Sequence, residues 1–457
     1  MTSITRSQLN LANRMERLPM SGYQRTLFLI ICSAWLFDSM DLAMMTFLLA
    51  PIVTDLGLTS KQAGLLGATS LAGMALGAAV AGMLADRFGR KVVFQWSIVG
   101  WGLASFACAA SQGLASLLAA RFVLGLFMGA EFPIAQAMVS EIIPAPKRGQ
   151  YIAFLEGFWP LGFILAGVVA YLLLPVGGWR MVFVAEGLPA IIVLYIRRRV
   201  PESARWLEDK GFYDEAEKVV GDFEKGVSAA LAKELAQAEP YNEALVHAST
   251  KSSFQELFVG IYAKRTIMVW LLWFFALMGY YGITTWMGKF LVDQGFAVTK
   301  SVSFLILMTL WGIPGFISAA ILVEKIGRKF STIFYVMMCG IAAYIYSQSG
   351  TNADLIIRGA ILQFFMFGMW SSLYAYTPEL FPTRARATGC GFASTWGRIG
   401  AFIGPLLVPY ILARYETSAE GITAVFTMGG VSFLIAAIAV LILGPETKGK
   451  ALEEIST

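Results

Sequence analysis

Charged residues, histidine and cysteine are all scarce in this chain of 457 residues. Charged side chains make up only 14% of it, whereas they make up roughly a quarter of an average soluble domain. The one histidine, His247, lies in a polar stretch, so we predict no histidine metal site and no bound metal. All four cysteines fall inside apolar segments, which argues against a disulfide framework.

Other common features are missing as well. No segment near the N-terminus has the apolar core and small-residue cleavage site of a signal peptide. The net charge of +5 is small and the positive residues lie in short loops, so we expect no nucleic-acid partner. No nucleophile–base set is visible in the sequence, so we expect neither enzymatic activity nor a cofactor.

Long uncharged apolar runs are what the sequence has in abundance. Hydrophobic residues make up 57% of the chain, and a run of about 20 apolar residues matches the thickness of a bilayer core. Because backbone groups in lipid must be satisfied within their own segment, such runs favour helices. We therefore predict an all-α membrane protein with twelve transmembrane helices, at 24–53, 61–84, 91–110, 114–139, 148–175, 179–198, 266–293, 299–323, 329–349, 353–378, 384–412 and 421–443.

The apolar runs divide the chain into two halves joined by a polar stretch. Lysine and arginine concentrate in alternate loops, for example Arg87, Arg90 and Lys91 between the second and third spans. This bias predicts that both termini and the central stretch are cytoplasmic. The central stretch is rich in Ala, Glu and Lys and predicts short surface helices. The predicted units are an N-terminal segment (1–23), a six-helix bundle (24–198), a linker (199–265), a second six-helix bundle (266–443) and a tail (444–457).

An internal repeat relates the two halves. The segment DRFGRK at positions 86–91 recurs as EKIGRK at 324–329, and Glu141 and Arg148 recur as Glu379 and Arg386. The two copies are 238 positions apart in every case. Two six-helix halves related in this way are typical of transporters, with the binding site at their interface near the middle of the membrane.

The first copy of the repeat resembles the loop motif of the major facilitator superfamily. It reads GMLADRFGRK over positions 82–91, whereas the second copy has Ala320 in place of the leading glycine. An acid at the helix end can contact basic loop residues, and glycine permits the tight turn. We interpret these residues as a structural ion-pair network that latches a gate without contacting substrate: Gly82, Asp86, Arg87, Gly89, Arg90, Glu141, Arg148, Glu324, Gly327, Arg328, Glu379 and Arg386.

Three further segments resemble those of sugar porters and organic-ion transporters. They are RFVLG at 121–125, PESAR at 201–205 and PETKG at 445–449. With the acid–arginine pairs of the repeat, they extend the resemblance over nearly the whole chain.

Charged residues inside the predicted spans are functional candidates because each is costly in a bilayer. The resemblance to proton-coupled sugar porters pairs Asp41 of the first span with Arg121 of the fourth. The arginine would hold the aspartate charged, and separation of the pair would favour protonation. Asp38, one turn earlier, could share or replace this role, and Glu131 is a further candidate for proton coupling. A static buried salt bridge that fixes helix packing is the alternative.

Arg398 in the eleventh predicted span indicates which class of substrate to expect. The surrounding WGRIGAFIGP resembles the organic-ion transporters, in which an arginine at this place goes with organic anions. A guanidinium can hold a planar carboxylate by two parallel hydrogen bonds. The alternative is an Arg398 neutralised by Glu156 or another acid in the membrane, without ligand contact.

Aromatic side chains are expected around the binding site, where they could stack on a flat ring. For Trp286, a place in an interfacial belt is as good an interpretation. Glu156 and Gln363 are candidates for polar contacts. A hexose fits poorly, because the segment WFFALMGYYGITTW at 273–286 lacks the glutamines of hexose carriers. The aromatic candidates are Trp159, Tyr280, Tyr281, Trp286, Trp370, Tyr374 and Trp396.

Three segments narrow the resemblance to bacterial niacin transporters and neighbouring aromatic-acid:proton symporters. They are FDSMDLAMMTFLL at 37–49, GAEFPIAQAMVSE at 129–141 and FLEGFWPLG at 154–162. The resemblance implies proton-coupled uptake of a small aromatic carboxylate, nicotinate first and a benzoate-type acid second, by a monomer in a bacterial inner membrane. The alternatives are another organic-ion or sugar transporter, and a non-transporting membrane sensor or interaction protein that kept the fold.

Overall fold

The computed structural model describes residues 11–198, 200–231, 257–381 and 386–448, and this part of the chain contains helices and no strand. Parts of the predicted N-terminal segment, linker and tail lie outside it. The helices are α1 Leu11–Glu16, α2 Gly22–Leu56, α3 Ser60–Phe88, α4 Arg90–Ala110, α5 Leu114–Ile142, α6 Ala145–Glu156, α7 Phe158–Arg197, α8 Ala204–Asp209, α9 Tyr213–Leu231, α10 Ile261–Asp293, α11 Val298–Leu310, α12 Gly312–Ile326, α13 Arg328–Ser347, α14 Asn352–Tyr376, α15 Arg386–Leu412 and α16 Ser418–Leu443.

These helices confirm the twelve predicted spans. Helix α7 contains the sixth predicted span and most of the fifth, which meet at Gly178, where φ is 64°. The fifth predicted span begins in α6 and continues in α7, and the eighth is divided between α11 and α12 at Trp311. The short helices α8 and α9 agree with the helices predicted for the central linker, whose residues 232–256 lie outside the described part.

The repeat seen in the sequence is also a repeat in packing. A Cβ atom built on Gly77 of α3 would lie 2.0 Å from the backbone oxygen of Leu126 in α5. A Cβ atom built on Gly315 of α12 would lie at the same distance, 2.0 Å, from the backbone oxygen of Phe364 in α14. Both residues of the second pair are 238 positions after those of the first. Small residues let membrane helices approach closely, and the two halves use them at equivalent places.

The halves pack against each other mainly through three helix pairs, which are α2 with α10, α3 with α15 and α7 with α11. We call the side of the bundle that holds α1, α8, α9 and residues 444–448 the tail side. One close approach between the halves lies towards the opposite side, where a Cβ atom on Gly288 would be 2.1 Å from the backbone oxygen of Thr46. Nearby, a Cβ atom built on Gly67 would lie 2.7 Å from the Thr285 side chain. The two halves are therefore closed against each other on this side.

Replacing Gly288 with leucine should open this contact. The larger side chain cannot fit against Thr46, and overpacking of this kind costs about 1–3 kcal/mol. We expect a cysteine introduced at Thr285, which is buried at the contact, to react several-fold faster with a membrane-impermeant maleimide in the Gly288→Leu background.

Gly391→Leu is the matched control, because a Cβ atom at that exposed position near the start of α15 meets nothing within 4 Å. Its labelling rate should equal that of the parent. Equal rates for all three proteins would show that Gly288 does not set the distance between the halves.

Candidate functional site

A small cavity lies between the two halves. Its volume is about 40 Å³, so the bundle is nearly closed around it. Helices from both halves contribute to its wall. The lining residues are Trp35, Asp38, Leu42, Leu71, Met74, Met128, Trp159, Trp273, Leu277, Tyr281, Trp370, Tyr374, Ser394, Arg398 and Ala401.

Arg398 of α15 places its guanidinium on this wall without an acidic partner. No described carboxylate lies within 4 Å of it, and its Nε atom has no hydrogen-bond acceptor in the described chain. The neighbours that act on its charge are Tyr374, Tyr281 and Asp38. Glu156, which the sequence offered as a neutralising acid, is not among them. A guanidinium in this position can accept the carboxylate of a ligand.

Aromatic rings form much of the remaining wall. The ring centroids of Trp35 and Trp159 are 5.3 Å apart, and those of Trp159 and Trp370 are 6.1 Å apart, which joins the first half to the second. Tyr374 stacks on Trp370 at 5.7 Å and meets Trp273 edge-on at 5.5 Å. Flat, apolar walls of this kind suit an aromatic ring.

A second buried arginine lies away from the cavity and is paired. Arg121 of α5 is 3.2 Å from Oδ1 of Asp41 in α2 and donates to the Ser70 hydroxyl at 2.8 Å. Both side chains of the ion pair are 1% exposed. The resemblance predicted this pair, and the structure brings the two residues together.

Glu186 in the second span of α7 joins this ion pair, and the sequence analysis did not select it. The side chain is fully buried and interacts electrostatically with Asp41 and Arg121. One turn earlier, Phe183 lies under the Arg121 guanidinium at 5.8 Å. Neither oxygen of Glu186, nor Oδ2 of Asp41, has a donor among the described residues. The rule that selected Asp41, an acid within an apolar span, could have found Glu186 too.

The other candidates fall into two groups. Trp159, Tyr281, Trp370, Tyr374 and Asp38 line the cavity. Glu131, Glu156 and Gln363 are buried but do not line it, and Tyr280 packs behind Trp370 at 5.4 Å.

Two predicted tryptophans lie elsewhere in the second half. Trp286 is fully buried and donates to the backbone oxygen of Pro405 at 3.2 Å, so it occupies neither an interfacial belt nor the cavity wall. Trp396 packs on Trp270 at 5.0 Å. Conversely, the sequence analysis did not name Trp35 and Trp273, which do line the cavity.

The repeated loop motifs form equivalent ion pairs on the tail side. Arg90 lies 3.7 Å from Glu141, and Arg328 lies 3.0 Å from Glu379. Each arginine also approaches the acid four residues earlier, at 3.6 Å for Asp86 and 2.9 Å for Glu324. Arg87 is near the Phe88 ring, Gly82 lies within α3, and the side chains at positions 148 and 386 are outside the described part.

Two glutamates complete these motifs by capping helices. Glu202 accepts hydrogen bonds from the Lys91 backbone N–H at 3.1 and 3.2 Å, and Glu446 accepts one from the Arg328 backbone N–H at 2.9 Å. A carboxylate at a helix N-terminus is stabilised by unpaired N–H groups. Gly89 and Gly327 have φ of 96° and 103°, and a Cβ atom on either would lie 2.4 Å from the glutamate.

Twelve spans in two repeated halves, with a cavity between them that carries charge, define a multi-pass membrane protein of the transporter class. The chain belongs to the Major Facilitator Superfamily, whose family model matches residues 27–405. This confirms the resemblance drawn from the loop motif. The xylose transporter XylE from E. coli, solved in an inward open conformation, superposes with a TM-score of 0.73 at 20% identity, over 94% of this chain and 99% of that one.

Named relatives are similar along nearly their full length. The chain is 39% identical over 452 residues to the niacin transporter NiaP of Acinetobacter baylyi, covering 98% of this chain and 100% of the relative. It is 33% identical to the putative niacin/nicotinamide transporter NiaP of Bacillus subtilis, over 94% and 98%. It is 29% identical to the 4-hydroxybenzoate transporter PcaK of A. baylyi, over 90% and 89%.

The two acids beside Arg121 should be able to replace each other as its partner. Asp41→Asn or Glu186→Gln alone leaves one carboxylate next to the buried guanidinium, whereas the double variant leaves none. Because an unpaired buried charge is strongly destabilising, the loss of unfolding free energy in the double variant should exceed the sum of the single losses by about 1–3 kcal/mol. Unfolding by SDS in mixed micelles measures it.

Adding Arg121→Met to the double variant provides the control, since it removes the unpaired charge and should restore part of the stability. Strictly additive losses would mean that Glu186 does not share Arg121 with Asp41.

Proposed function

We propose that the protein takes up a small aromatic monocarboxylate, with nicotinate as the leading substrate, by proton-coupled alternating access. The observation that carries this proposal is the guanidinium of Arg398, which lies without an acidic partner on the wall of an aromatic cavity. A benzoate-type acid is the second candidate, because it offers the same carboxylate and a flat ring.

The substrate's carboxylate would complete the charge pairing of Arg398. A buried charge without a partner is unfavourable, and a planar carboxylate can satisfy a guanidinium by two parallel hydrogen bonds. Trp159, Trp370 and Tyr374 would enclose the ring, since their side chains line the same cavity. The names of the niacin and 4-hydroxybenzoate transporters among the relatives support this class of substrate.

A hexose suits this wall less well. Sugars need several amides and hydroxyls, whereas the lining is dominated by aromatic and aliphatic side chains, with polar groups at Asp38, Ser394 and Arg398 and the hydroxyls of Tyr281 and Tyr374. Gln363, the amide considered for polar contact, does not line the cavity.

Proton coupling would use Asp41, Arg121 and Glu186. One guanidinium faces two carboxyl groups, so one added proton makes the cluster neutral. Placed between Asp41 and Glu186, that proton would also give a partner to carboxyl oxygens that lack a donor among the described residues. Asp38 is the second candidate carrier, because it lines the cavity and acts on the charge of Arg398.

Orientation and gating complete the proposal. The tail side would face the cytoplasm of a bacterial cell, with both termini inside and the inner membrane as the location. The ion pairs of Arg90 and Arg328 would hold the tail side in one conformation, and the Gly288–Thr46 contact would close the other side. The protein would work as a monomer with a proton and a monoanion as its cargo.

Nicotinate uptake into proteoliposomes tests this proposal. An imposed inward proton gradient should drive accumulation, and a membrane voltage alone should not, because a proton and a monoanion together carry no net charge. Arg398→Ala should lower uptake at a subsaturating concentration roughly 30-fold or more, since loss of one partner of a buried charge pair costs about 2–5 kcal/mol.

Arg414→Ala is the matched control, because Arg414 is an exposed arginine just after the same helix. It should transport like the parent. Arg398→Lys keeps the charge without the two-pronged geometry and should recover only part of the activity. If folded protein accumulates neither nicotinate nor benzoate under the gradient, the proposal is wrong.

A further inference from the structure

Three hydrogen-bond donors meet behind one wall of the cavity. Tyr280 of α10 is fully buried, packs edge-on against Trp370 at 5.4 Å, and its hydroxyl interacts with the side chains of both Trp159 and Trp370. The Tyr280 hydroxyl and the Nε1 atoms of both tryptophans have no hydrogen bond of acceptable geometry in the described chain.

The chemistry of these groups leaves protons without an acceptor. An indole N–H only donates, whereas a phenol hydroxyl donates one hydrogen bond and accepts others. If the Tyr280 oxygen accepted hydrogen bonds from both indoles, its own proton would still have no acceptor among the described residues. Buried donors without partners are unfavourable, so the cluster is complementary to an acceptor atom brought by a ligand.

We infer that Trp159, Trp370 and Tyr280 form a subsite for an acceptor atom in the plane of the substrate ring, such as the nitrogen of a pyridine carboxylate. The inference rests on the proposed function and deepens it. Trp159 and Trp370 line the same cavity as Arg398, and Tyr280 packs directly behind Trp370. A ligand held at Arg398 by its carboxylate would therefore bring its ring nitrogen next to this donor cluster.

This subsite selects between two otherwise similar acids. Nicotinate supplies a ring nitrogen with an in-plane lone pair, whereas benzoate presents a C–H group there and leaves the donors unmatched. A site built to hydrogen-bond a ligand discriminates strongly against an analogue that lacks the bonding group. The aromatic walls alone would bind both rings about equally.

Binding of nicotinate and of benzoate to purified protein, by isothermal titration calorimetry, tests the subsite. The parent should bind nicotinate about 10-fold or more tightly than benzoate. Trp159→Phe, Trp370→Phe and Tyr280→Phe each remove a donor and keep a ring. We expect at least one of them to weaken nicotinate binding about 10-fold while the affinity for benzoate stays within about twofold of the parent's.

Trp273→Phe is the matched control. Trp273 also lines the cavity, but its indole N–H already donates to the Thr377 hydroxyl at 2.9 Å. This variant should change the two affinities by the same factor.

The outcomes separate this inference from the proposed function. A parent that binds neither acid contradicts the proposed function itself. A parent that binds both acids equally well, or donor variants that weaken both equally, overturns the subsite while the carboxylate site at Arg398 stands. Equal binding by the parent is also the result expected if a permanently held water satisfies the donors.

Discussion

A positive charge buried in a membrane bundle needs a negative partner, and the two central arginines of this protein meet that requirement differently. Arg121 has Asp41 at 3.2 Å and Glu186 as a second acid. Arg398 has no described carboxylate within 4 Å and lies on the wall of the cavity. The first arginine is therefore paired within the protein, whereas the second has no acidic partner among the described residues. Under the proposed function, the acids beside the first would take up a proton, and the second would bind the carboxylate of the substrate. Transport would then couple two incomplete charge sites, one completed by a proton and one by the substrate.

The repeat supplies the mechanical frame for these sites. Arg90 with Glu141 and Arg328 with Glu379 form equivalent ion pairs. Glu202 and Glu446 cap the N-termini of α4 and α13, the helices that follow the two loops. Each tail-side loop is therefore tied to helices of its own half. The two halves meet at the cavity, where the ring centroids of Trp159 in one half and Trp370 in the other are 6.1 Å apart.

Features that depend on local sequence were predictable, and those that depend on how helices face each other were not. The twelve spans follow from apolar run length, and Asp41, Arg121 and Arg398 stand out because charge is rare in such runs. Aromatic residues are common in every span, so their roles depend on helix rotation. The orientation of each helix about its own axis directs Trp286 to Pro405 and Trp396 to Trp270. The same kind of orientation places Trp35 and Trp273 on the cavity wall. Glu186, like Asp41, is an acid within an apolar span and could have been selected from the sequence. Its proximity to Arg121 could be seen only in the folded structure.

The central claim is that Arg398 is left unpaired for the carboxylate of a substrate. Nicotinate and nicotinamide share a ring and nearly a shape, and differ in the charge of the side group, so their dissociation constants isolate this interaction. We predict that the protein binds nicotinate about 30-fold or more tightly than nicotinamide, and that Arg398→Leu removes this preference, as expected for a buried charge pair worth about 2–5 kcal/mol. Equal binding of the two ligands by the unaltered protein, or an unchanged preference in the leucine variant, would contradict the account.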